Sequence, residues 1–107
     1  MKEDLTDILA EEAKRRQRIF KGIDRYLREI LNSIRSIDPK AEVYLFGSVA
    51  REDSNFSSDI DVLVLTGLKP AQVLSVLSKY GPPFEFHIYG HDVSEHFKKA
   101  GKLVRIT

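Results

Sequence analysis

Gly47-Ser48-Val49-Ala50-Arg51-Glu52-Asp53-Ser54-Asn55-Phe56-Ser57-Ser58-Asp59-Ile60-Asp61 is the stretch on which the fold turns. Before it, Val43-Tyr44-Leu45-Phe46 is β-branched and aromatic, the composition of a buried strand. That strand runs into Gly47, where the missing Cβ permits a tight bend and close approach of a ligand to the backbone. Ser48 is placed to cap a short helix through Val49, Ala50 and Arg51. Free N–H groups, a hydroxyl and the positive end of the helix dipole would then face an anion such as a polyphosphate. At the far end, Asp59-Ile60-Asp61-Val62-Leu63-Val64-Leu65 begins by alternating. The two-residue period of a strand puts Asp59 and Asp61 on one face and Ile60 on the other, so two carboxylates converge on one hard cation. Magnesium takes a few carboxylates and completes its shell with substrate phosphate oxygens, which couples metal and nucleotide.

As a pattern the segment is Gly-Ser, ten residues, Asp, one residue, Asp, with Arg51 in the spacer and Ser58 just before the first Asp. It resembles the nucleotidyltransferase signature of the DNA polymerase β superfamily, and within it the minimal nucleotidyltransferase family of archaea and bacteria. An Asp-x-Asp alone carries little information; the combination at this spacing, between two apolar strands, carries much more. The resemblance implies a polymerase-β-like core, an α/β or α+β fold, and Mg2+-dependent transfer of a nucleoside monophosphate, AMP from ATP in the first instance, to a hydroxyl. Gly47, Ser48 and Arg51 would hold the phosphates, and Asp59 and Asp61 the metal. In the family a third acid lies on the following strand and is usually an aspartate. Here Glu85 occupies that place, one methylene longer, with His87 two residues on and on the same face as an accessory proton acceptor or ligand. Many family members are antitoxins paired with an all-helical HEPN ribonuclease toxin, and some attach AMP to a toxin tyrosine.

Plainer readings stand beside these. Ser48 could serve only as a cap, Glu85 as a surface residue among aromatic core positions, and His87 as a polar-face histidine. Arg51 suits either a phosphate or a pair with Glu52 or Asp53. Two carboxylates on one face of an otherwise Val, Leu and Ile strand repel one another unless a cation or base sits nearby, which favours the metal. A chain that binds nucleotide or a partner without turnover, neutralising that partner by occlusion, is the alternative function.

The rest of the chain reads as one domain over residues 1–107. Its 107 residues suit a single modest core, with 42% hydrophobic residues to fill it. A net charge of +1 gives no general argument for nucleic acid. The absence of cysteine excludes disulfides and thiolate metal sites, and without a signal-like or long apolar segment a cytoplasmic, non-membrane protein is expected. Residues 1–37 form the N-terminal segment, helical from about Lys2 to Ser36, with Leu5, Ile8, Leu9, Ala13, Ile19, Ile23, Leu27, Ile30 and Ile34 at three- and four-residue intervals. An unbroken helix of that length would span about 50 Å, wider than a domain of this size, so it either bends, with Gly22 the weak point, or projects. If it projects, the stripe at Leu5, Ile8 and Leu9 needs a partner, such as a second copy of the chain. The basic run Lys14-Arg15-Arg16-Gln17-Arg18 follows the acids Glu3, Asp4, Asp7, Glu11 and Glu12, the order that suits a helix dipole, and reads as a solvated helix face.

Further on, Pro70 suits the first position of a helix through Leu77, and Gly81-Pro82-Pro83 stops it. Phe84 to Tyr89 reads as a strand, Asp92 to Lys99 as a short helix, and Leu103 to Ile106 as a terminal strand. The sum is a mixed sheet of about four strands with helices packed against it. Tyr44 and Phe46 are expected in the core, and His91 and His96 on the surface.

Overall fold

The computed structural model describes residues 4–52, 54, 55, 57–99 and 101–107. Helix α1 (Leu5–Lys21) begins after Asp4, whose carboxylate accepts from the Asp7 N–H at 2.9 Å. At Gly22 the helix breaks and α2 (Ile23–Arg35) continues it. The expected helical segment thus forms with its interruption at the glycine, while Lys2 and Glu3 lie outside the described residues. The amphipathic pattern explains α2: Leu27, Ile30, Leu31 and Ile34 recur at three- and four-residue intervals, and all four are buried. In α1 the first buried residue is Ile19, whereas Leu5, Ile8 and Leu9 are 70%, 47% and 59% exposed. The molecule extends 50 × 29 × 19 Å, the long dimension reflecting a helix that outruns its core.

Strands β1 (Glu42–Phe46), β2 (Ile60–Leu65), β3 (Phe84–Tyr89) and β4 (Val104–Arg105) form one sheet in the order β3-β2-β1-β4. β1 runs antiparallel to β2 and to β4, and β2 runs parallel to β3, so the sheet is mixed as the sequence implies. The connection from β1 to β2 carries the four-residue helix α3 (Gly47–Ala50). The crossover from β2 to β3 carries α4 (Pro70–Leu77), with Pro70 in its first turn, where a missing N–H costs nothing. α5 (Ser94–Lys99) follows β3 after a single 3-10 turn.

Alternation along the strands sorts the two faces. Val43 and Leu45 from β1 and Ile60, Val62 and Val64 from β2 join α2 and α4 in the main core, with Val73 and Leu77 completing it. The opposite face carries Tyr44 and Phe46, then Asp61, and then Glu85 and His87 on β3. Removing the core residues from water is the main stabilising term, at roughly 25 cal/mol per Å2 of apolar surface.

Two polar knots tie connections to strand ends. Asp38, just after α2, accepts from Thr66 Oγ1 at 2.5 Å and from the Lys40 N–H at 3.0 Å. The Thr66 bond is the main cause that holds the Asp38 carboxyl below the usual aspartate range. Glu42 accepts from the Tyr44 hydroxyl at 2.7 Å and faces His91 at 3.0 Å and Arg105 at 3.5 Å. Those partners lower its pKa, the tyrosine bond first, against a burial that raises it. Burial and the same carboxylate push the Tyr44 phenol up. His91 is therefore a paired residue that helps fasten the segment after β3 to β1, a role its sequence neighbours Gly90 and Asp92 do not announce.

Candidate active site at the carboxylate end of the central strands

Sheet register builds the site. In the parallel pair Asp61 lies directly beside Glu85, and across the antiparallel pair it lies beside Phe46, the last residue of β1. Gly47 follows at once, with φ +75°, a left-handed conformation that disfavours any residue with a Cβ. A Cβ at Gly47 would also collide with Asp61 Oδ2. The glycine thus has two independent reasons to be glycine, one in the backbone and one in the space the carboxylate occupies.

His87 is the third member. Its Nε2 lies 3.3 Å from Asp61 Oδ1 and 3.7 Å from Glu85 Oε1, and its ring stands edge-on to Phe46 with centroids 4.9 Å apart. One ligand atom each from Asp61, Glu85 and His87 lie within 4.8 Å of one another. Asp61 and His87 are about three-quarters buried, while Glu85 is 56% exposed at the rim. Two carboxylates and an imidazole, set this close, form a donor set able to hold a divalent cation. Octahedral coordination with bonds of about 2.1 Å separates neighbouring ligand atoms by about 3.0 Å.

Asp59 is placed differently from its partner. It precedes β2 by one residue, is exposed, and is not part of the three-residue group. The alternation expected from residue 59 onward begins at Ile60, so only Asp61 has its direction fixed by the ladder. Ser48 lies inside α3, not before it: Phe46 occupies the cap position, and no side chain caps this helix. The expectation of a Ser48 cap is corrected, because the left-handed turn at Gly47 starts the helix one residue earlier. α1 reaches this region as well, for Arg16 Nη1 donates to the Ser58 carbonyl at 3.2 Å. Part of the basic run is therefore a clamp on the loop before Asp59, not only a solvated face. Arg51 is exposed and has an interaction of its own, whereas a pair with Asp53 lies outside the described residues.

Beside Gly47 opens a cavity of about 270 Å3, walled by Phe46, Phe97 and Leu103 and edged by Arg51 and Lys102. Phe46 packs edge-on against both Phe97, at 5.9 Å, and His87, at 4.9 Å, and so touches both the cavity wall and the three-residue group. Tyr44 and Phe46 are half-buried and not members of the main core, contrary to the expectation for both. Phe97 and Lys102 were not legible as site residues, since α5 comes back over the sheet only through tertiary packing.

Residues 27–102 match the model of the nucleotidyltransferase domain family. The chain belongs to that family. Among solved structures, one provisionally assigned nucleotidyltransferase is 28% identical, with a TM-score of 0.59 over 77% of this chain and 98% of its own. A second, from Sulfolobus solfataricus and likewise provisionally assigned, is 25% identical, with a TM-score of 0.55 over 88% of this chain and 85% of its own. No curated protein matches. The family match spans Gly47, Ser48, Asp59, Asp61, Glu85 and His87, so the nucleotidyltransferase domain includes the whole carboxylate end just described. Among its described residues no helix is long and apolar enough to cross a membrane.

Proposed function

We propose that this nucleotidyltransferase domain moves a nucleoside monophosphate, AMP from ATP in the first instance, onto a hydroxyl of a separate acceptor, with a divalent cation held at Asp61 and Glu85. The observation that carries the reading is the register pair Asp61–Glu85, whose carboxylates come within reach of one shared ion although the third acid is a glutamate. A bound divalent cation would supply charge neutralisation at the phosphates.

The chain's own residues define the rest. Arg51 and Lys102, at the mouth of the cavity beside Gly47, suit the phosphates, and Phe46 and Phe97 offer apolar walls to a base. Gly47 keeps the backbone clear of Asp61. Asp59, exposed at the entry of β2, can swing toward the same ion from the loop that Arg16 holds. In the reaction the acceptor oxygen forms a bond to the α-phosphorus and the bond from that phosphorus to the β-phosphate bridging oxygen breaks. Pyrophosphate leaves with that electron pair, and the hydroxyl proton passes to solvent.

A partner that brings the acceptor is in keeping with the small layer of helices that the described residues place around the sheet. A tyrosine of a HEPN-type toxin is the case that the family resemblance suggests, which would make the chain an antitoxin. A second copy is proposed to cover the exposed stripe of α1. The acids at the start of that helix and the bases at its end suit antiparallel self-pairing. One observation favours the other reading, a nucleotide- or partner-binding module without turnover: Asp59 stands outside the three-residue group. Incubation with nucleoside triphosphate, metal and a purified HEPN-type partner decides between them. Transfer of nucleotide to the partner that Asp61→Asn abolishes supports the enzyme, and tight binding without transfer supports the module.

A further inference from the structure

His87 changes what the cation site asks for. A site made only of carboxylates, water and phosphate oxygens suits magnesium, a hard ion that dehydrates reluctantly. Imidazole suits borderline first-row transition ions, whose affinity for a given nitrogen and oxygen site rises along the series from Mn2+ towards Cu2+. Here the imidazole is not a bystander. Its Nε2 is 3.3 Å from Asp61 Oδ1 and 3.7 Å from Glu85 Oε1, while the two strands hold the Cα positions in register. Neighbouring ligands of a tetrahedral ion with bonds of about 2.0 Å lie about 3.3 Å apart, and octahedral ones with bonds of about 2.1 Å about 3.0 Å apart. The 3.3 Å edge already matches the tetrahedral spacing, the 3.7 Å edge lies just outside it, and all three ligand atoms lie within 4.8 Å of one another. The Phe46 ring, edge-on to the imidazole at 4.9 Å, limits the orientations the histidine can take.

We infer that His87 is a direct ligand of the catalytic cation and that the site selects a borderline divalent transition ion, of the Co2+ and Zn2+ class, over Mg2+. The inference rests on the reading of Asp61 and Glu85 as a cation site and adds its identity. Gly47 belongs to the same arrangement, since it leaves room for the Asp61 carboxylate to stand where it faces the imidazole nitrogen. The consequence is a division of labour on one strand. Glu85, the more exposed, contributes a movable carboxylate, and His87, the more buried, fixes the kind of ion.

The test uses the full chain without nucleotide at one fixed neutral pH. Mn2+ is added alone and its bound form is examined by pulsed electron paramagnetic resonance. Calorimetric titrations then compare Co2+, Zn2+ and Mg2+ for the natural chain, His87→Asp and Asp61→Asn, with circular dichroism to confirm that each variant is folded. The inference predicts nitrogen coupling on bound Mn2+ that His87→Asp removes. It also predicts a ratio of Zn2+ to Mg2+ affinity that falls at least tenfold in that variant, most of it through lost Zn2+ binding. Bound Mn2+ that needs Asp61 but shows no nitrogen coupling overturns the role of His87 and leaves the carboxylate site standing. Binding of no divalent ion by the natural chain overturns both.

Discussion

Replacing Gly47 with alanine separates the backbone from the site. At φ +75° an L-residue with a Cβ costs about 1–2 kcal/mol, and this outweighs the few tenths to 1 kcal/mol that alanine gains by restricting the unfolded chain. The collision with Asp61 Oδ2 is of another kind. The atom struck is the tip of a side chain, so the fold yields cheaply there by swinging the carboxylate aside, and the cost falls on the group it forms with Glu85 and His87. Gly47→Ala, at a net loss of about 0.5–1.5 kcal/mol, is therefore expected to lower the thermal midpoint by roughly 2–12 °C, at about 4–8 °C per kcal/mol for a domain near this size, while remaining folded. Cation affinity is expected to drop by an order of magnitude or more, out of proportion to the stability loss. Gly67→Ala is the control, since a Cβ there meets nothing within 4 Å; it should stay within about 0.5 kcal/mol and bind cations normally. Thermal unfolding followed by circular dichroism and calorimetric cation titration provide the two readouts. If Gly47→Ala binds cations like the natural chain, the close approach of Gly47 to Asp61 has no part in the site and the reasoning fails.

Other consequences can be measured together. Asp38 and Glu42 both titrate below their ordinary values of 3.8 and 4.5 in the folded chain. The unfolded chain therefore takes up protons first on acidification, and their contribution, complete above those values, is lost as pH falls through the lowered ones. The acid limb of a stability-versus-pH curve should be shallower in Glu42→Gln, and an unchanged limb would contradict the pairing with Tyr44 and His91. Ile34→Ala, at a fully buried position between α2 and the sheet, should cost about 2–5 kcal/mol by denaturant unfolding. Leu9→Glu, at an exposed position on α1, should leave the circular dichroism spectrum of the folded chain unchanged yet prevent the proposed self-pairing in sedimentation equilibrium. A natural chain that sediments as a monomer removes that dimer.

The fold was legible wherever local pattern and tertiary context agree. The apolar runs at 43–46 and 60–65, Pro70 at a helix start and the periodic face of α2 each specify their element, and Gly22 marks the break in the long helix. The pair Asp61 and Glu85 was legible for the same reason: strand alternation and the order of the strands suffice to bring them together. Asp59 lies one residue before the ladder, and alternation in sequence does not say where hydrogen bonding begins. Ser48 lies inside α3 because the left-handed residue before it shifts the helix start, which a Gly-Ser dipeptide does not reveal. Phe97, Lys102 and the clamp from Arg16 to Ser58 depend on how α5 and α1 return to the sheet, and no local signal carries that information.

The central claim is that Asp61 anchors transfer of a nucleotidyl group. Its most direct test presents the chain, a divalent cation and cellular protein with ATP labelled either at the α- or at the γ-phosphorus. Label should reach an acceptor from the α position only, and Asp61→Asn should abolish it. Transfer from the γ position, or α-label transfer undiminished in Asp61→Asn, would contradict the account.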